Sequence, residues 1–144
     1  MAQVPSTVKD AVTRVVTRVH ETLIRATGGA VGGRVAGMPV LLLTTTGRKT
    51  GQPRTTPLTY LDDGDRLVVV ASYGGSPTHP KWYLNLTANP DVEVTRGRRT
   101  ERMHSRTATA EERAELWPRV TKAYKGYAGY QEKTMREIPL VILA

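Results

Sequence analysis

The apolar residues follow two patterns along the chain. Between Val8 and Leu23 they recur every three or four positions, which is typical of an amphipathic helix, and arginines occupy several of the polar positions. A glycine-rich connector follows. The sequence therefore divides into an N-terminal helix and connector, residues 1–37, and a main domain, residues 38–144. The helix could cover the domain, pair with another subunit or lie on an anionic membrane.

After the connector, short apolar runs alternate with turn residues, a pattern that predicts strands and hairpins. A short helix is expected between two of these runs, and a second helix should begin after Thr109, where Glu112 completes a capping box. Because tight turns join most strands, we expect an α+β domain around a closed or nearly closed antiparallel sheet. The predicted strands are Val40–Thr46, Arg54–Leu61, Arg66–Ala71, Val92–Arg96, Arg99–Ala108 and Ile138–Leu143, and the short helix spans Pro80–Asn89.

One predicted strand carries a row of basic side chains. Its alternation places Arg102, His104 and Arg106 on one face and Glu101 and Met103 on the other. We interpret the basic row as the solvated side of an edge strand, where charges oppose aggregation.

Composition narrows the class of protein. The 144 residues suit one domain, and the chain has no cysteine, which fits a cytoplasmic protein and excludes disulfides and thiolate chemistry. No apolar run is long enough for a transmembrane helix. A net charge of +8 predicts anionic partners. Nucleic acid is disfavoured among them, because the basic residues are dispersed and no aromatic residues alternate with the arginines at 96–106.

The segment Thr44–Arg54 concentrates positive charge after a strand. Arg48, Lys49 and Arg54 lie within seven positions, and Gly47 and Gly51 break the strand. Their backbone N–H groups could help the side chains to hold an anion. The segment is not a P-loop, since the lysine precedes the second glycine. Two interpretations stay open, a solvated hairpin turn and a site for phosphate or carboxylate.

Other chemistry has little support in the sequence. No nucleophile motif surrounds Ser72, and the three histidines lack metal-ligand spacing, so no metal site is predicted. What remains is a glycine loop, 71–75, a tryptophan at 82 and tyrosines at 124, 127 and 130. The tyrosines could pack as core or close over a ligand. Together these parts suit a flat, anionic cofactor that supplies its own chemistry.

Four motifs in this order resemble the deazaflavin-dependent nitroreductase family of actinobacteria. They are T-T-T-G-R-K-T-G-Q-P-R at 44–54, P-L at 57–58, A-S-Y-G-G at 71–75 and H-P-x-W-Y-x-N-L-x-A-N-P at 79–90. The resemblance covers roughly residues 38–144. It implies a split β-barrel, of the FMN-binding, pyridoxamine-oxidase-like kind, with flanking helices. It also implies reduced coenzyme F420 as hydride donor, whose phosphate and polyglutamate tail would be the anion for the basic turn.

The resemblance assigns residues to three roles. Tyr127 and Ser72 are the candidate catalytic residues, as proton donor or in positioning the acceptor. An enone, quinone or nitro compound would be reduced beside Tyr124, Tyr127, Tyr130 and Thr59. The cofactor would contact Arg48, Lys49, Thr50, Gly51, Arg54, Pro57, Ala71, Ser72, Tyr73, Gly74, Trp82 and Asn85.

Two positions depart from the family pattern. Many relatives carry a lysine at the position of Tyr73, which would displace one contact to the tail, and some carry an aromatic residue at the position of Thr59. The rival hypotheses are an FMN-dependent oxidoreductase on the same barrel and a non-catalytic protein that binds F420. The chain is expected to be a monomer or homodimer, cytoplasmic, with membrane contact possible through its basic N-terminal helix.

Overall fold

The computed structural model describes residues 34–35 and 38–144. The predicted N-terminal helix and most of the connector lie outside these residues. The described strands are β1 (Arg34–Val35), β2 (Met38–Thr46), β3 (Pro53–Thr59), β4 (Leu61–Asp63), β5 (Arg66–Val70), β6 (Asp91–Arg96), β7 (Arg99–Thr107) and β8 (Leu140–Leu143). The helices are α1 (Lys81–Ala88), α2 (Ala110–Ala123) and α3 (Gly126–Glu132), and a 3₁₀ turn spans Tyr73–Gly75.

All described strand pairs are antiparallel and form one sheet in the order β1-β2-β6-β7-β8-β5-β4, with β3 paired to the other edge of β2. The sheet curls into a half-barrel. This confirms the predicted α+β class and the split barrel with flanking helices. The predicted strand 54–61 ends earlier than expected, because Tyr60 belongs to no strand and separates β3 from β4.

The basic row on β7 does not lie on an edge strand, so that interpretation was wrong. β7 pairs with β6 on one side and with β8 on the other, with Thr95 opposite Thr100 and Ser105 opposite Leu143. Arg106 donates to the Glu112 carboxylate through its two terminal nitrogens, Nη1 at 2.6 Å and Nη2 at 2.8 Å. The charges therefore belong to a central strand whose outer face meets solvent and the start of α2.

Two apolar clusters lie on opposite faces of β5 and β8. One fills the curl of the sheet and includes Leu67, Val69 and Trp82. The other lies beneath α2 and α3 and includes Val68, Val70 and Tyr127. Successive residues of β5 point to opposite faces of the sheet, and both faces are buried. This explains why the strand contains a continuous run of valines. The two clusters also hold two aromatic rings in place, Trp82 in the first cluster and Tyr127 in the second.

The start of α2 follows the sequence prediction. The Thr109 hydroxyl accepts a hydrogen bond from the Glu112 N–H, and the Glu112 carboxylate accepts one from the Thr109 N–H. Glu112 also binds Arg66 of β5. The pKa of Glu112 is held well below its usual range, first by the hydrogen bond from Arg106 and then by that from the Thr109 N–H. The helix is thereby fixed to the sheet at its first turn.

Candidate active site

The basic segment is the tight connection between β2 and β3. The N–H of Gly47 donates to the carbonyl of Gln52 and that of Gly51 donates to the carbonyl of Gly47, both at 2.8 Å. Gly51 has φ +70°, which a residue with a side chain rarely adopts. The backbone N–H groups of both glycines are therefore used inside the turn. The expectation that they would help to hold an anion was wrong, and that task is left to the side chains.

Asn85 fixes this turn to helix α1. Its side chain is 8% exposed, and its Oδ1 accepts a hydrogen bond from the Arg48 N–H at 3.1 Å. Its Nδ2 donates to Thr45 Oγ1 at 3.3 Å. The motif residue predicted to contact a cofactor thus positions the arginine, and its amide still has a free hydrogen and a free lone pair.

The side chains of the turn line a cavity of about 510 Å³, which we call the cationic chamber. Arg48, Lys49, Arg54 and Lys81 supply four positive charges, and none of the described residues that line the chamber is acidic. The remaining lining residues are Gly47, Thr50, Pro53, Thr55, Thr56, Trp82 and Asn85. Gly51 lies outside this chamber, on a separate cavity of about 210 Å³. The arrangement is that of an anion site.

A second cavity, of about 610 Å³, lies beside the first and is called here the tyrosine chamber. Thr56, Lys81 and Trp82 line both cavities, so the two chambers form one groove. The other lining residues of the tyrosine chamber are Met38, Pro57, Leu58, Thr59, Val70, Ser72, Tyr73, Gly74, Pro80, Tyr124, Tyr127 and Tyr130. The groove is therefore cationic at one end and largely apolar and aromatic at the other.

One wall of the tyrosine chamber is the serine loop, residues 71–76. Three consecutive residues have positive φ, Tyr73 at 45°, Gly74 at 63° and Gly75 at 81°. A Cβ on Gly75 would lie 2.7 Å from the Tyr130 carbonyl oxygen, so this position accepts glycine alone without displacement. Tyr73 is 61% exposed at the rim, whereas Ala71 is fully buried and lines neither chamber.

The opposite wall carries the tyrosines. The Tyr127 and Thr59 hydroxyls are hydrogen-bonded at 2.6 Å, and the Tyr124 and Tyr130 hydroxyls at 3.2 Å. Burial raises the pKa of Tyr127, and the bond to Thr59 opposes this rise. The rings of Tyr124 and Tyr127 meet edge to face with centroids 4.9 Å apart. The tyrosines pack on the core, as one interpretation predicted, and they also line the cavity. That they close over a ligand stays a prediction.

Two residues near the site were missed by the sequence reasoning. Lys81 lines both chambers, and its place beside Trp82 in a basic protein could have suggested it. Arg136 binds the serine loop from a segment 60 residues further along the chain. No local pattern marks it, because only the tertiary fold brings it to the loop.

The groove fits a flat cofactor with an anionic tail. Four cations and no carboxylate surround one end, and a buried tryptophan separates it from an aromatic chamber. The volumes lie in the range of small-molecule sites. Fold and groove together are those of a split-barrel protein with a candidate site for such a cofactor.

Comparison with known proteins identifies the family. The F420H(2)-dependent quinone reductase family matches residues 16–144, so the chain belongs to that family. A curated F420H(2)-dependent quinone reductase of Mycobacterium tuberculosis is 45% identical over 130 residues, which cover 88% of this chain and 87% of the relative. Membership confirms the predicted resemblance, the oxidoreductase class and reduced F420 as the hydride donor of this enzyme family.

Solved structures agree with the assignment. The F420-H2 dependent reductase FDR-A has a TM-score of 0.68 and 42% identity, covering 74% of this chain and 94% of its own. The haem storage protein HutZ of Vibrio cholerae has a TM-score of 0.56 at 15% identity, covering 72% of this chain and 79% of its own, and supports the fold alone.

Proposed function

We propose that this protein reduces quinones with F420H2, and that the two-chamber groove holds cofactor and acceptor together. The observation that carries the proposal is the union of the cationic and tyrosine chambers at Trp82 and Lys81. Curated relatives that share most of the chain are named for this activity. The quinone is therefore the acceptor class that we favour over enones and nitro compounds.

In this proposal Arg48, Lys49 and Arg54 bind the phosphate and tail, and Thr50, which also lines the cationic chamber, adds a hydroxyl. Lys81 adds a fourth cation where the two chambers meet. Trp82, itself 8% exposed, provides a rigid face against which a heterocycle can lie. When bound, reduced F420 supplies a hydride to the acceptor.

The protein's own contribution to the reduction is orientation and a proton. Reduction of a quinone to a hydroquinone adds one hydride and one proton. The Tyr127 phenol carries its proton at neutral pH, since even the ordinary tyrosine pKa of 10.0 lies well above 7 and burial raises the pKa further. Its hydroxyl faces the tyrosine chamber beside Thr59, so we assign it to donate a proton to the acceptor oxygen, while Ser72 helps to position that oxygen.

Turnover of menadione by the purified full chain tests the proposal. We expect oxidation of F420H2 with menadione to be faster than with an enone or a nitroaromatic compound. FMN and its reduced form serve as the alternative cofactor in parallel binding and turnover assays. Tight FMN binding without F420 binding would replace this proposal by an FMN-dependent oxidoreductase. F420 binding without turnover of any acceptor would replace it by a non-catalytic protein that binds F420.

The assembly and location of the protein are further expectations. A solved relative with 38% identity and a TM-score of 0.68 is described as a domain-swapped dimer. We expect this chain to be a homodimer or a monomer, which light scattering after size exclusion would distinguish. Among the described residues, no helix is long and apolar enough to cross a membrane. Cosedimentation with anionic vesicles would test whether the N-terminal helix makes peripheral contact.

A further inference from the structure

Arg136 is the most highly connected side chain near the tyrosine chamber. Its Nε donates to the Ser76 carbonyl oxygen at 2.9 Å, and its Nη2 donates to that of Ser72 at 2.8 Å. Its Nη1 lies 3.2 Å from the Ala71 carbonyl oxygen and 3.0 Å from His79 Nδ1. One guanidinium therefore binds both ends of the serine loop and the residue that precedes helix α1 by two positions.

These contacts join the two walls of the chamber. Arg136 follows α3, which carries Tyr127 and Tyr130, and it binds the loop that carries Ser72 and Tyr73. Two of the three positive-φ residues in the loop are glycines, which adopt this conformation readily, but Tyr73 at φ 45° carries a side chain and its conformation costs free energy. Within the loop, the hydrogen bonds are Gly75 N–H to Ser72 O and Ser76 N–H to Tyr73 O. The guanidinium supplies the support from outside the loop.

We propose that Arg136 is a positioning residue of this oxidoreductase site, and that His79 makes its action depend on pH. Arg136 has only donors, so its bond to Nδ1 requires that nitrogen to be an unprotonated acceptor. Protonation of His79 places two cations 3.0 Å apart and breaks the bond. The serine loop then loses one of its anchors, and the position of Ser72 relative to Tyr127 becomes less defined. The effect on turnover rests on the proposed function, whereas the effect on the loop does not.

The surroundings of His79 favour its neutral form. Burial, and then the positive charge of Arg136, lower its pKa. Tyr83 packs its ring against the imidazole, with centroids 4.9 Å apart and planes at 52°. Among the described groups that contact the imidazole, none is a carboxylate. Acidification is therefore expected to act through Arg136.

Hydrogen exchange of the full chain without cofactor tests the positioning role directly. In Arg136→Met, we expect exchange in peptides covering residues 71–79 to accelerate by about 10-fold, the scale of one lost charge-assisted hydrogen bond. Peptides from β2 and β6 should be unchanged. Arg119→Met is the control for loss of an arginine, because Arg119 pairs with the Asp63 carboxylate and lines neither chamber. Equal exchange in Arg136→Met and wild type would overturn the proposal.

His79→Asn tests the pH dependence in a variant that retains the arginine. Asparagine offers a neutral carbonyl acceptor near the position of Nδ1 and cannot titrate. After correction for intrinsic rates, exchange at 71–79 should rise in the wild type as the pH falls below 6.5, the ordinary histidine pKa, and stay level in His79→Asn. A level profile in both proteins would overturn the His79 coupling.

Kinetics separate this inference from the proposed function. With menadione, kcat should fall in Arg136→Met, Arg136→Lys should recover part of it, and the affinity for F420 should change less, since Arg136 lines neither chamber. If the wild type shows no turnover but the exchange results hold, the proposed function fails and the positioning of the loop stands. If turnover is normal in both Arg136→Met and Arg136→Lys, the positioning role of Arg136 is refuted and the proposed function is unaffected.

Discussion

Replacement of Tyr127 by phenylalanine separates a structural from a chemical role for its hydroxyl. The ring is 6% exposed and its packing is unchanged by the substitution. The lost contact is the 2.6 Å hydrogen bond to Thr59 Oγ1. A bond of this kind contributes about 0.5–1.5 kcal/mol to the free energy of unfolding. Thr59 is only partly buried, so water can replace the phenol, and we expect a loss near 1 kcal/mol.

The expected kinetic effect is much larger. A general acid contributes about 10²–10⁴-fold to a rate, whereas a protein with roughly 5–15 kcal/mol of stability stays folded after losing 1 kcal/mol. We therefore expect kcat with menadione and F420H2 to fall at least about 100-fold, with F420 affinity nearly unchanged. The assay combines steady-state turnover with thermal unfolding of the chain without cofactor.

Tyr83→Phe is the matched control. Tyr83 makes a comparable hydroxyl contact, 2.8 Å to Thr107 Oγ1, at a position that lines neither chamber. It should lose similar or smaller stability and keep its activity. If kcat in Tyr127→Phe stays within about threefold of the wild type, the hydroxyl delivers no proton in the slow step, and the assignment of Tyr127 as proton donor is refuted.

The pKa of Tyr127 adds a pH prediction for the same residue. Its pKa in the folded protein is raised above the usual value of 10.0. The contribution of this shift to stability is therefore fully present below pH 10 and is lost as the pH rises through the higher folded value. We expect no alkaline decline of activity from Tyr127 below pH 10. A decline near pH 8 that disappears in Tyr127→Phe would contradict this.

The other predictions concern the basic turn, the serine loop and the helix cap. The double variant Lys49→Ala, Arg54→Ala should weaken F420 binding by about 10-fold per cation, and added salt should weaken binding in the wild type, both measured by titration; unchanged affinity would contradict an anion site. Gly75→Ala should lower the unfolding temperature, because its Cβ would clash with the Tyr130 carbonyl. The depressed pKa of Glu112 contributes stability above about pH 4.5 that is lost on acidification, so Glu112→Gln should flatten this acid dependence in urea unfolding.

Much of the local structure followed from local sequence. The capping box at Thr109 and Glu112 formed as predicted, because both groups bond to backbone only three residues away. The turn between β4 and β5 also depends on a local feature, a glycine at position 64 with φ of +71°. The motif between 44 and 54 identified the basic turn, and four motifs in order identified the family.

The two errors have different physical causes. β7 was taken for an edge strand because nothing near it in sequence shows that β8, the last strand, pairs with it. The glycine N–H groups were assigned to a ligand, but carbonyl groups of the same turn, four and five residues away, accept their hydrogen bonds. The contact between Asn85 and the Arg48 N–H was not expected, because it joins residues 37 positions apart.

The sequence by itself determined the family, the cofactor class and the residues at the two ends of the groove, because these depend on residue type and on order along the chain. Only the tertiary structure decided that the two ends form one groove at Thr56, Lys81 and Trp82. It alone also placed Arg136 on the serine loop, across 60 residues of chain from Ser76. Contacts of that length arise from the curl of the sheet, and no local pattern of side chains records them.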